Sequence, residues 1–245
     1  MKGSQSDSVR VATWNIHACK GSDFRIDPQR TLAVIDSLDA DLIALQEVPT
    51  RSQHPAFRAL LNGDLGYHCL LETTLPDHPD GFGNALLSRL PVLETQRLDL
   101  SCPDREPRCA IDARIGVAGY GDLHVLATHL GLQARERHRQ FDRLATRMER
   151  ADAATLLMGD FNDWRARPET RLAARGLVTR SSASRRSFPA WLPLLRLDHI
   201  VVGPGLRVNE GHSGQPSHWR HASDHLPLVA EIAFTSQEGQ ADRSR

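Results

Sequence analysis

Residues 9–16 alternate, with Val9, Val11 and Thr13 on one face and Ala12, Trp14 and Ile16 on the other, the period-two pattern of a strand. Similar short apolar runs recur at Leu42–Val48, Tyr67–Leu71, Asn84–Ser88, Ala110–Val117, Leu123–Leu130, Thr155–Phe161, Leu197–Val202 and Leu226–Phe234. Two segments switch to helical spacing. The first opens with Asp27 as N-cap and Pro28 at the first helical position, and sets Leu32, Ile35 and Leu38 on one face. The second runs from about Ala134 to Arg150, with Phe141, Leu144, Ala145 and Met148 as its apolar stripe. No internal repeat and no long linker is visible. Strands and helices mix along the whole length, which predicts one α/β domain of sheets packed face to face with helices outside.

Composition narrows this without changing it. A chain of 245 residues with 40% hydrophobic and 24% charged residues builds its core without disulfides or a structural metal. A formal net charge of zero argues against a protein dedicated to wrapping duplex DNA, because phosphate neutralisation calls for a basic excess. Cys19, Cys69, Cys102 and Cys109 form no C-x-x-C pair, so a reducing compartment is expected. The polar first residues lack a signal-peptide core, and no apolar run reaches the ~20 residues of a membrane span. A cytoplasmic location, with no membrane span and no obligate protein partner, is the expectation.

Candidate chemistry lies at the ends of the strands. Asn15, Gln46 and Glu47, Thr128 and His129, and Asp160, Asn162 and Asp163 close four of them, while Asp198 and His199 open another. Ser223, Asp224 and His225 announce the last. Each residue alone reads as a turn, cap or half-buried structural group. Together, on one rim, they would bind a hard cation through oxygens and supply a proton-transfer base.

Thr13-Trp14-Asn15-Ile16-His17, Leu45-Gln46-Glu47-Val48, Thr128-His129-Leu130, Gly159-Asp160-Phe161-Asn162, Leu197-Asp198-His199-Ile200 and Ser223-Asp224-His225-Leu226-Pro227 resemble the motifs of the endonuclease/exonuclease/phosphatase family. That family is similar to deoxyribonuclease I, abasic-site endonucleases, sphingomyelinases and inositol-polyphosphate phosphatases. The motifs keep the family's order over a single domain at 9–234, leaving 1–8 and 235–245 as flexible tails. The resemblance implies a four-layer αββα sandwich of two mainly antiparallel sheets with helices outside. It implies Mg²⁺, with Mn²⁺ as a substitute, held by Glu47 with Asn15 and Asp224. Asp160 and Asn162 match the pair that orients the attacking water and holds the phosphate. His129 looks like a phosphate-contacting imidazole, His225 like the general base and Asp198 like its orienting partner. Arg108 sits where deoxyribonuclease-like members place an arginine on the phosphate, and Asn84 lines the cleft or satisfies a turn.

These implications define a phosphate-ester hydrolase, most simply a phosphodiesterase, acting on nucleic acid, a phospholipid head group or a small phosphodiester. A phosphomonoesterase and a non-catalytic binding member of the same fold are the alternatives. A zinc site from His218, His221 and His225 lacks the accompanying ligand patterns. Ser187-Phe188-Pro189 stands where the family usually has Thr-Phe-Pro, keeping the hydroxyl. The apolar run Phe188–Leu195 reads as a buried crossover, with contact to a lipid or nucleobase as the alternative. Arg137 and Gln140 either reach substrate or lie on an exposed helix face. Arg165, Arg167, Arg171, Arg175, Arg180, Arg185 and Arg186 read as a solvated face rather than a phosphate-tracking strip.

Overall fold

The computed structural model describes residues 8–235 except 53, 56, 59–62, 64, 165–167, 179–181, 184 and 210–215. In chain order these form β1 (Ser8–Asn15), α1 (Pro28–Leu38), β2 (Leu42–Pro49), β3 (His68–Leu75), β4 (Phe82–Ser88) and β5 (Val92–Asp99). Next come β6 (Cys109–Val117), β7 (Gly121–His129), α2 (Ala134–Glu149), β8 (Ala154–Asp160) and α3 (Pro168–Ala173). The chain closes with β9 (Ser182–Ala183), β10 (Asp198–Val202), β11 (Leu206–Asn209) and β12 (Leu228–Phe234). Most of the expected tails, and Arg165, Arg167 and Arg180, lie outside the described residues; Ser8 opens β1.

Two six-stranded sheets result, in the orders β11-β12-β1-β2-β4-β3 and β5-β6-β7-β8-β10-β9. In each, the central pair is parallel, β1 with β2 and β7 with β8, and every other pairing is antiparallel. Parallel neighbours cannot be joined by a tight hairpin. The chain crosses over through α1 in one sheet and α2 in the other. Strand for strand the two sheets therefore carry the same succession of pairings, a structural repeat that the residue pattern does not show.

The alternation at 9–16 serves two cores. Val9 and Val11 face the second sheet and pack in a cluster with Ile111, Val125, Leu156 and Ile200. Ala12, Trp14 and Ile16 face outward onto Val34, Ile35 and Leu38 of α1. A third cluster joins Leu126 and Leu157 to Phe141, Leu144, Ala145 and Met148 of α2. The layers are thus helix, sheet, sheet, helix, and central strands covered on both faces read as nearly continuous apolar runs. The α1 start is as expected, with the Asp27 carboxylate accepting from the Arg30 backbone N–H at 3.0 Å and Pro28 first in the helix.

Three strands and the short α3 were not legible in the residue pattern. The strands β5, β9 and β11 all lie at sheet edges. In β5, residues 93–97 are exposed, so no apolar face marks it. The run Phe188–Leu195 is also not the buried crossover expected: Ala190 is buried, but Trp191, Leu192 and Leu194 are exposed. It is a tight excursion closed by bridging of Phe188 with Leu195. The four cysteines are free, and burial pushes the thiol of Cys19 up to about 12 and those of Cys69 and Cys109 to about 11. Among the described residues no helix is long and apolar enough to cross a membrane.

Gly159, in β8, has φ 151°, and a β-carbon there would lie 1.9 Å from the Thr128 carbonyl oxygen of the parallel neighbour. Gly159→Ala is expected to cost about 2–3 kcal/mol through overpacking and to lower Tm by roughly 5–10 °C. Calorimetry showing an unchanged Tm would contradict this close approach.

Candidate active site

The ends of β1, β2, β7 and β8 and the beginnings of their antiparallel neighbours β4, β6, β10 and β12 share one edge of the sandwich. There they enclose a cleft of about 300 Å³ lined by Asn15, Glu47, Asn84, Arg108, His129, Asp160, Asn162 and His225, together with Thr74, Glu106 and Leu132. In a smaller crevice on the outer face of the second sheet, Asp112 pairs with His124 at 2.7 Å and with Arg147 at 2.5 Å.

Asp160 is the meeting point. It is only 1% exposed. Its Oδ2 accepts from the Asn15 amide at 3.1 Å, across the two sheets, and faces His129 Nε2 at 3.6 Å and His225 Nε2 at 3.7 Å. Its Oδ1 accepts from the Asn162 backbone N–H at 2.9 Å. The Asn162 side-chain amide donates to His129 Nε2 at 3.0 Å and to the Leu130 carbonyl at 2.9 Å. Asn162 itself sits at φ 49°, a left-handed conformation that asparagine tolerates better than most residues.

His225 is held from behind. Its Nδ1 donates to Asp198 Oδ2 at 2.9 Å, and the Ser187 hydroxyl donates to the same oxygen at 2.5 Å. Asp198 is fully buried, and its Oδ1 has no hydrogen-bond partner. Phe188 packs on the imidazole with ring centroids 4.9 Å apart, and Trp14 donates to the His225 carbonyl at 2.9 Å. Asp160, Asp198 and His225 bring ligand-type atoms within 4.8 Å of one another. Within this trio the Asp198–His225 contact is already a hydrogen bond.

Glu47 reaches the cleft through a bulge. Leu45 pairs with Ala85 and Val48 with Gly83, so β2 carries one residue more than β4 between those pairs, and Glu47 takes φ 54°. Such insertions re-aim a side chain. Glu47 is the one incompletely buried residue of β2, and its Oε1 accepts from Asn15 at 3.0 Å. The Asn15 amide oxygen accepts from the His17 backbone N–H at 3.0 Å. That turn runs through His17, Ala18 and Cys19, all at positive φ. Asp224 is not part of the lining; its carboxylate lies 3.4 Å from His17 Nδ1 and accepts from Ser223 at 3.3 Å.

Arg108 is buried along the cleft, with Nη2 3.1 Å from Glu106 and Nε without a partner. Asn84 lines the cleft while donating to the Cys109 carbonyl at 3.1 Å. Sequence reasoning gave no role to Glu106 or Thr74, whose types carry no signal by themselves. It named Ser187 only as a retained hydroxyl. Arg137 and Gln140 do not lie on an exposed helix face: both are buried beneath the loop after β7, and neither lines the cleft. Arg137 donates to the Leu132 carbonyl at 2.6 Å and Gln140 accepts from the Gly131 N–H at 2.8 Å, satisfying backbone groups that a buried loop leaves open. Arg175 pairs with Asp142 and Glu149, and so belongs to the α2 surface. His218 and His221 lie on an exposed 3-10 turn, and neither belongs to the Asp160–Asp198–His225 group.

Burial favours a neutral His225, but the charges of Asp198 and Asp160, the Asp198 hydrogen bond and Asp224 outweigh it and raise the imidazole to about 10. Asp160 is raised above the usual carboxylate range, mainly by burial, against the pull of His225. His129 is pushed well below the ordinary histidine value by burial, with Arg108 and His225 adding to the effect. A neutral His129 can accept from Asn162, as it does.

The family model described as "Endonuclease/Exonuclease/phosphatase family" matches residues 12–225. The Escherichia coli K12 protein YbhP is 32% identical over 253 residues, covering 94% of this chain and 98% of its own. The crystal structure of an endonuclease/exonuclease/phosphatase from Beutenbergia cavernae superposes with TM-score 0.75 at 24% identity, over 94% of this chain and 72% of that one. A mannosyl-6-phosphatase of Bacteroides thetaiotaomicron has TM-score 0.70 at 18% identity, over 93% and 100%.

The raised His225 value fixes a sign in the metal-free protein. Folded His225 keeps its proton to about pH 10, whereas the unfolded chain titrates near ~6.5. The stability it contributes is full below about pH 6.5 and is lost as pH rises towards 10. In EDTA, unfolding free energy should fall over that window more steeply in wild type than in His225→Gln. A His225 ring found neutral at pH ~7 by nitrogen NMR would contradict the assignment.

Proposed function

The chain belongs to the endonuclease/exonuclease/phosphatase family, an assembly of phosphoric ester hydrolases, and on that premise we propose that it is a Mg²⁺-dependent phosphodiesterase. The observation that carries this reading is the buried relay from Asp198 through His225 to the face of Asp160, opening on the cleft that Glu47 enters.

The donor set suits a hard cation. Glu47 offers a carboxylate steadied by one hydrogen bond from Asn15, and Mg²⁺ prefers oxygen ligands while keeping several waters. Asn15, with its amide oxygen engaged by His17, contributes by holding Glu47 and Asp160 together. Asp224 acts at one remove. When bound, Mg²⁺ or Mn²⁺ offsets charge growing on the non-bridging and leaving oxygens and favours the neutral form of His225.

The chain's own groups do the rest. Neutral His225 accepts a proton at Nε2 from the attacking water, while Asp198, backed by Ser187, fixes the ring and stabilises the imidazolium that forms. Asp160 and Asn162 orient that water and the phosphate. Arg108, buried with an unpartnered N–H, meets a phosphate oxygen, and the same anion favours protonation of His129 beside it. Asn84 bounds the substrate space. Water attacks in line, without a covalent intermediate.

Hydrolysis of bis(p-nitrophenyl) phosphate should require Mg²⁺, stop in EDTA, and fall at least ~100-fold in His225→Ala. Glu47→Gln should raise the Mg²⁺ concentration needed at least ~10-fold. Turnover surviving both EDTA and His225→Ala would place the chemistry elsewhere, and faster cleavage of the monoester would make the enzyme a phosphatase. With a phosphorothioate diester chiral at phosphorus, hydrolysis in heavy-oxygen water should invert the configuration, as one direct attack requires, whereas retention would mean a covalent intermediate.

A further inference from the structure

Large apolar side chains exposed to solvent are unevenly distributed. Phe24, 80% exposed, and Ile26 stand on the loop that leaves β1 just after Asn15. Leu132, 71% exposed, stands on the loop that leaves β7 just after His129, and lines the cleft. Trp164 follows Asn162 by two residues. Trp191, Leu192 and Leu194 cap the excursion whose base, Phe188, packs on His225 and whose Ala190 N–H donates to the Asp224 carbonyl at 2.7 Å. All seven sit on loops at the catalytic edge. Among the described residues the two other exposed large apolar side chains, Leu93 and Tyr120, lie at the start of β5 and in the β6–β7 turn, at the opposite edge.

Exposed arginines lie on or beside these loops: Arg25 beside Phe24 and Ile26, Arg135 in the first turn of α2 after Leu132, and Arg186 and Arg196 on either side of the Trp191 excursion. Lys20 lies over the Phe24 ring at 5.3 Å. An apolar fringe interleaved with cations matches a surface that is anionic at its face and hydrocarbon beneath, and tryptophan favours such a boundary. Four of the seven side chains are aliphatic and present no π-face on which a base could stack. That favours a lipid surface over a nucleic acid.

We infer that the rim of the catalytic cleft docks on anionic phospholipid membranes, so that the enzyme's substrate is the phosphoester head group of a membrane amphiphile. The rim side chains enter the interface while the cleft faces the head groups. The substrate class rests on the phosphoesterase reading above; the docking surface stands on the exposed side chains alone.

The test is co-sedimentation with vesicles of phosphatidylglycerol and phosphatidylcholine, read together with tryptophan emission. Trp14 and Trp219 are buried, so a blue shift on vesicle addition reports Trp164 and Trp191. Wild type should bind and shift, more weakly at high salt. Leu192→Glu combined with Leu194→Glu should weaken binding at least ~10-fold, whereas Leu93→Glu at the far edge should bind as wild type does. If the double variant melts early, Trp191→Gln takes its place. Wild type left in the supernatant while it hydrolyses bis(p-nitrophenyl) phosphate would overturn the membrane inference and spare the phosphoesterase reading. Vesicle binding without hydrolysis of any phosphoester would do the reverse. Binding equally weakened by Leu93→Glu, or quenching of the rim tryptophans by a single-stranded oligonucleotide without vesicle binding, would also overturn the inference.

Discussion

Asp160 has almost no access to water, and an ionised carboxylate in that position costs several kcal/mol unless its neighbours compensate. The compensation comes from both halves of the sandwich: an amide from β1, a backbone N–H from the turn after β8, and the charged imidazole from the loop before β12. No single sheet could supply that set. The demand of one buried charge thus fixes how the two sheets meet at this edge. The protonation states beside it are set apart: Asp198 and Asp160 keep His225 charged, whereas burial, Arg108 and His225 keep His129 neutral, within 4 Å of the same oxygen.

How much of this was legible in the residues depended on position within the sheets. Central strands such as β1, β2, β7 and β8 are packed on both faces, so nearly every side chain is constrained and the run announces itself. Edge strands are constrained on one side or neither: β5 pairs with β6 along its length yet leaves residues 93–97 in solvent. Pairing there depends on backbone groups, which leave no trace in side-chain type. The duplicated order of pairings was hidden for a related reason, since it is a property of hydrogen-bonding partners.

Site residues followed a similar rule. Carboxylates, imidazoles and amides at strand ends stood out because an apolar core has no need of them. What stayed hidden was use rather than identity. Arg137 and Gln140 resemble surface residues on a helix, but they are buried to satisfy the Gly131–Leu132 backbone. The Asn15 amide could have faced a cation by its oxygen; the His17 turn takes that oxygen and leaves the hydrogens for Glu47 and Asp160. The Phe188–Leu195 run was misjudged because hydrophobicity alone does not distinguish a side chain meeting protein from one meeting something else.

The matching order of pairings puts β1 in correspondence with β7 and β2 with β8. Asn15 then answers to His129 as the last residue of the first strand in each parallel pair, and the Glu47 end of β2 answers to the Asp160 end of β8. Such correspondence is what an ancestral doubling of a half-sized unit would leave behind, long after its halves ceased to resemble each other in residues. In register Asn15 faces Gln46 as His129 faces Asp160, so the position answering to Asp160 holds an amide, and the carboxylate that β2 gives the cleft, beside the bulge, would be a later insertion rather than a copy.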